Sequence, residues 1–119
     1  MDQTAVVLLD DADELRQVEA LLAVHRLRML HCIQVTDLER MLASSGKCLI
    51  LLNLETDGVD DSLLRRMGRT HPQAPIIGIS KRTYHPELEQ ALRSNLRAVV
   101  ARPIDEDELN LCLRGVMDV

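Results

Sequence analysis

Aromatic side chains are almost missing from this 119-residue chain, which has no Trp, no Phe and a single Tyr, Tyr84. That removes the flat surfaces on which proteins stack nucleobases or sandwich a flavin ring. A basic surplus is missing as well. Fourteen Lys and Arg lie scattered among nineteen Asp and Glu for a net charge of −5, which argues against direct nucleic-acid contact. Any link to DNA would run through a partner or another domain. No apolar run approaches the roughly 20 residues needed to cross a membrane. Nor does the N-terminus show a basic region followed by a longer apolar stretch, so the expectation is a cytoplasmic protein without membrane contact. The three cysteines, Cys32, Cys48 and Cys112, have no CxxC partner and sit in apolar stretches. They read as small buried hydrophobes in a reducing compartment, not as nucleophiles. His25, His31, His71 and His85 show no metal-ligand spacing, and no Gly-rich phosphate loop follows any apolar run.

What is present is the composition of an ordinary globular protein, 46% apolar and 28% charged. The length suits one domain over residues 1–119, with a core that needs no disulfide or metal staple. There is no repeat, low-complexity tract or internal linker; short apolar runs alternate with amphipathic stretches.

Val6-Val7-Leu8-Leu9 is the first strand. Asp11 or Asp13 then caps a helix with Leu15, Val18, Leu22 and Val24 roughly on one face, ending near Arg26. A second strand fits Met29 to Ile33. Thr36 with Glu39 has capping-box spacing and opens a helix closed by Ser44-Ser45-Gly46. Cys48 to Leu52 is continuously apolar, as a strand buried on both faces should be. Asp60-Asp61-Ser62 caps a helix to about Arg69, and Pro75 to Ile79 is a fourth strand ending at Ser80. Pro86, with Glu87 and Glu89 behind it, starts a helix to about Asn95. Ala98 to Ala101 is the fifth strand, and Asp105 caps a last helix with Glu108 three residues on and Leu109, Leu113 and Val116 facing inward. Five strands alternating with helices predict an α/β fold, a doubly wound (βα)5 sandwich on a parallel sheet with right-handed crossovers.

In such a sheet the carboxyl ends of the strands share one edge, where ligands bind. That edge would gather Asp10-Asp11, Asn53, Ser80 and Arg102-Pro103. This set resembles the receiver domains of two-component response regulators, over essentially the whole chain. The resemblance implies a flavodoxin-like sheet of order 2-1-3-4-5. It also implies roles for the edge: the acidic pair helps hold Mg²⁺, an aspartate ending the third strand accepts a phosphoryl group, and the hydroxyl and a lysine contact the phosphate. An aromatic in the fifth strand reports the switch. A phosphoryl group on a carboxylate needs a cation and positive donors, so these roles are physically coherent.

The chain departs from that pattern. Asn53 stands at the phosphoacceptor position, and a neutral amide is a very poor nucleophile toward phosphorus. Arg102 replaces the lysine, Val99 takes the aromatic slot, and Leu54-Glu55-Thr56-Asp57-Gly58 lacks the usual proline. Oxygen ligands for Mg²⁺ are still available from Asp10, Asp11, the Asn53 side chain and the Glu55 backbone carbonyl, at reduced charge, so the cofactor is either none or a weakly bound ion. The other reading of Asp10-Asp11 is that they cap the first helix and pair with Arg102, leaving no ion.

The expected function is that of an atypical receiver: a non-enzymatic, phosphorylation-independent regulatory module, controlling transcription or another output through an attached domain or a protein partner. The face that the resemblance assigns to partner or homodimer contacts, made by the fourth helix, fifth strand and fifth helix, includes Glu89, Arg93, Arg97, Asp107, Asn110 and Arg114. Opposite charges there suit pairing across a two-fold. The alternatives are a conventional response regulator with a shifted acceptor at Glu55 or Asp57, and a small flavodoxin-like enzyme binding a nucleotide or flavin.

Overall fold

Runs rich in Val, Ile and Leu that are too short for helices form the strands, and the computed structural model describes them within residues 3–82 and 95–117. The strands are β1 (Thr4–Leu8), β2 (Arg28–Cys32), β3 (Cys48–Asn53), β4 (Ile76–Ser80) and β5 (Leu96–Ala101). They pair in parallel in the order β2-β1-β3-β4-β5. Four helices are described, α1 (Ala12–Val24), α2 (Val35–Ser44), α3 (Asp61–Thr70) and α4 (Glu106–Met117). This is the expected doubly wound α/β sandwich. The helix predicted over 86–95 lies outside the described residues except for Asn95, as do Tyr84, His85, Glu89 and Arg93.

Period-2 alternation divides the apolar residues between two cores. Val6, Leu8, Ile50 and Leu52 pack on Leu38 and Leu42 of α2 and Leu63, Leu64 and Met67 of α3. On the opposite face, Val7, Leu49, Leu51, Ile77 and Val100 pack on Val18 and Leu22 of α1 and Leu109 and Leu113 of α4. All six residues of β3 are buried, which puts Asn53 at the end of the most central strand.

The helix starts follow their aspartates in three cases. Asp11 accepts a hydrogen bond from the Glu14 amide at 2.9 Å, Asp60 from the Leu63 amide at 2.8 Å, and Asp105 from the amides of Asp107 and Glu108. The expected capping box of Thr36 and Glu39 does not form. Helix α2 is capped two residues earlier, at Gln34 and without a side-chain cap, so Thr36 lies inside the helix, and Glu39 pairs with Arg66 of α3 in a two-pronged ion pair at 3.0 and 3.1 Å. Val24 also departs from expectation and is 74% exposed, since α1 turns off immediately after it. The turn is a Schellman closure with Leu27 N donating to Leu22 O and Arg26 N to Ala23 O, and Arg26 takes the left-handed conformation.

Two glycines matter to the edge above the sheet. Gly58 has φ of +92° and lets the loop after β3 pass close to Val35. Gly78 in β4 has no room for a Cβ, which would lie 2.9 Å from a Leu54 methyl carbon. Leu54 thus folds back over β4 and fixes where the next residue, Glu55, leaves the sheet.

Candidate functional site

The carboxyl ends of β1, β3, β4 and β5 meet at one edge, and the strand register brings their polar tails together. Asn53 is paired beside Ile79, and Ser80 beside Ala101. Asn53 and Ser80 are buried polar residues, 5% and 1% exposed, so each must find partners within the protein.

Arg102 supplies many of them. Its side chain is 9% exposed and grips Glu14 of α1 with both prongs, Nε to Oε2 at 2.8 Å and Nη2 to Oε1 at 2.7 Å. The remaining Nη1 donates to Asn53 Oδ1 and to Glu55 Oε1, each at 3.1 Å. One guanidinium therefore ties α1, β3 and the loop after β3 to the end of β5, a use of its planar fork that an ammonium could not reproduce. The Arg102–Pro103 peptide bond is cis.

Glu55 is the second hub. Its Oε2 accepts from the Ser80 hydroxyl at 2.7 Å, and its Oε1 accepts from the Lys81 amide at 2.8 Å as well as from Arg102. Ser80 Oγ in turn accepts from the Arg82 amide at 3.0 Å. Asn53 Oδ1 accepts from the Glu55 amide at 3.0 Å in addition to Arg102, so its oxygen is committed to two donors.

Among the described residues, the acidic pair makes no bond to Arg102 or Glu55. Asp11 is spent on capping α1, and Asp10 is exposed on the wall of an open cleft of about 750 Å³ whose lining includes Ile33, Thr36, Asn53, Glu55 and Asp57. The expected bridge from Arg102 to Asp10 or Asp11 is replaced by bridges to Glu14 and Glu55. The reason is reach: an aspartate at the helix cap turns toward the helix amides, whereas a glutamate one turn further on can extend back to β5. Glu14 was missed from the sequence, although Asp11-x-x-Glu14 is itself a spacing that aims N3 side chains at the helix start.

Asn110 also finds an internal partner, with Oδ1 at 2.6 Å from His25 Nε2, so it joins α4 to α1 and does not face outward. Asp107 and Arg114 are exposed, and between them lies Leu111 at 66% exposure, a residue that charge patterning alone did not single out. Val99, in the slot expected for an aromatic, is 42% exposed. Burial, helped by the charge of Asp37, pushes the Cys32 thiol up to about 11, and burial also raises Cys48 and Cys112. None of the three is a ready thiolate at neutral pH.

No family model matches the sequence, and no curated protein is similar to it at a significant level. Solved structures do match. The signal receiver domain of an HD domain-containing protein from Pseudomonas fluorescens superposes with a TM-score of 0.87 at 18% identity, over 99% of this chain and 96% of that one. A response regulator from Thermotoga maritima gives a TM-score of 0.86 at 12% identity over the whole of both chains. The receiver domain of a sensor histidine kinase from Pseudomonas aeruginosa, with magnesium coordinated in its active site cleft, gives 0.82 at 18% identity over the whole of both.

Part of the ligand set expected for such an ion is engaged in other bonds in this chain. Among the described residues no three His, Cys, Asp or Glu side chains converge as metal ligands. Of the expected ligands, the Asn53 oxygen accepts from Arg102 and from the Glu55 amide and Asp11 caps α1, whereas Asp10 is exposed on the cleft. Fold, strand order and the placement of the edge residues lead to one conclusion: this chain has the fold of response regulator receiver domains, with asparagine at the end of β3 and a guanidinium at the centre of the edge.

Proposed function

We propose that the protein is a receiver-type regulatory module in signal transduction that works through protein contacts and does not accept a phosphoryl group. The observation that carries this reading is Asn53. It ends the central strand with a neutral amide whose oxygen is held by Arg102 and by the Glu55 amide, where phosphoryl transfer would need a free carboxylate beside a metal. Neither alternative acceptor is better placed. The Glu55 carboxylate is engaged by Ser80, Lys81 and Arg102, and Asp57 lies four residues beyond Asn53 on the wall of the open cleft. Mg²⁺ has no resident role in this reading, and no residue is assigned to catalysis.

Output then depends on what the module touches. One of the similar structures is the receiver domain of an HD domain-containing protein, and NtrX from Brucella abortus matches this chain over 26% of its length, with a TM-score of 0.82 at 19% identity. An attached or partner output domain, controlling transcription or another activity, fits that pattern. The contact face proposed here is the outer side of α4, where Asp107, Leu111 and Arg114 form an i, i+4, i+7 stripe, with Arg97 exposed on β5. Glu89 and Arg93 belong to the proposed face but lie outside the described residues.

Intact mass after incubation with Mg²⁺ and a small-molecule phosphodonor tests the reading, with Asn53→Asp run alongside. The native protein should keep its mass. A stoichiometric phosphoryl gain on the native chain would overturn the proposal and direct attention to Glu55 and Asp57.

A further inference from the structure

Three hydrogen-bond donors from two strand ends converge on one carboxylate. Ser80 Oγ gives its single proton to Glu55 Oε2 at 2.7 Å, the charged acceptor outcompeting the Arg82 carbonyl at 3.1 Å. The Lys81 amide and Arg102 Nη1 both donate to Oε1. None of these donors owes its position to Glu55. Arg102 is gripped by both oxygens of Glu14, and its own amide donates to the Ser80 carbonyl at 3.1 Å. Ser80 and Lys81 are carried by β4, which pairs with β3 and β5 on either side. Such a group of fixed donors, one of them cationic and mostly buried, is an oxyanion nest.

We infer that this nest is a binding site for a small oxyanion and that Glu55 is its built-in occupant, so the edge of β4 and β5 is permanently held in its anion-filled arrangement. The inference rests on the receiver reading above and deepens it. A module that accepts no phosphoryl group still has the hydroxyl, amide and cation that would hold one, and it satisfies them with its own side chain. Glu55 is suited to the task because Leu54 folds over Gly78 and delivers the following residue to the end of β4. Without the Glu55 carboxylate the Lys81 amide and Arg102 Nη1 would each lose an acceptor and Ser80 would fall back on the Arg82 carbonyl, so two of the donors would be open to an anion from solution.

The probe is inorganic phosphate, titrated at constant ionic strength against chloride and followed by amide NMR. In Glu55→Ala, the Lys81 and Arg102 amides should shift saturably, with an apparent affinity about tenfold or more above that of the native protein. The native chain should show no saturable shift at these amides. Glu55→Ser is the second variant, in case the alanine form does not give a folded spectrum. The inference is overturned if the folded variants show no saturable shift, if their shifts fall away from Ser80, Lys81 and Arg102, or if the native chain binds equally well. If the native protein takes up no phosphoryl group in the mass experiment and the variants bind no phosphate, the built-in anion alone fails. Phosphoryl uptake by the native protein sinks the broader reading instead.

Discussion

A guanidinium that keeps only 9% of its side chain exposed has to be neutralised locally, and Arg102 is met by two carboxylates and an amide oxygen. Removing it leaves Glu14 and Glu55 facing each other without a cation. Arg102→Met should therefore destabilise the fold by about 3 kcal/mol, the low end of the range for a broken buried pair because both glutamates retain some contact with water. Urea denaturation checks this, and a loss within experimental error would show that the network contributes little. At this scale the sequence was only partly readable. That Asn53, Ser80 and Arg102 would share an edge followed from their places at the ends of apolar runs, since strand ends in a parallel sheet converge by topology. Which acid would pair with the arginine did not follow. Side-chain reach and competing use decide it: Asp11 is consumed by the helix cap, and Glu14 and Glu55 owe their roles to long side chains launched from neighbouring backbone.

Among the elements, the helices show where local chemistry speaks and where packing overrides it. Asp60 makes the cap of α3 directly, whereas Thr36 has the right spacing for α2 and makes no cap, because the helix already starts at Val35 and Thr36 lies within it. Asp60→Ala should accordingly cost about 1 kcal/mol in urea denaturation. Thr36→Ala should change stability by no more than about 0.5 kcal/mol, as an exposed substitution without a cap to lose. A Thr36 effect equal to that of Asp60 would mean that the cap forms in solution. The strands were more legible than the helix starts. Continuous burial along β3 is written in an uninterrupted apolar run, while the ion pair that joins α2 to α3 spans 27 positions of sequence and leaves no local trace.

For the whole molecule, alternation of strand and helix dictated the parallel sheet and its two cores, and the observed order β2-β1-β3-β4-β5 has the receiver arrangement. Among the described residues no helix is long and apolar enough to cross a membrane. The α4 stripe carries the expectation about assembly. With acid, leucine and base spaced one and nearly two turns apart, two copies related by a two-fold would set Asp107 against Arg114 on each side of paired Leu111 residues. Sedimentation of the native protein should show concentration-dependent dimers that Leu111→Glu abolishes with the fold intact. Unchanged sedimentation of that variant would assign the stripe to solvent. Glu55 reaches its nest from a position two residues beyond Asn53, in the same chain. A ligand tethered so closely has an effective concentration that free metabolites do not approach, and it cannot be hydrolysed or diluted. With Glu55 as the proposed occupant, the arrangement has no chemical off-step of the kind a phosphoryl group would give it.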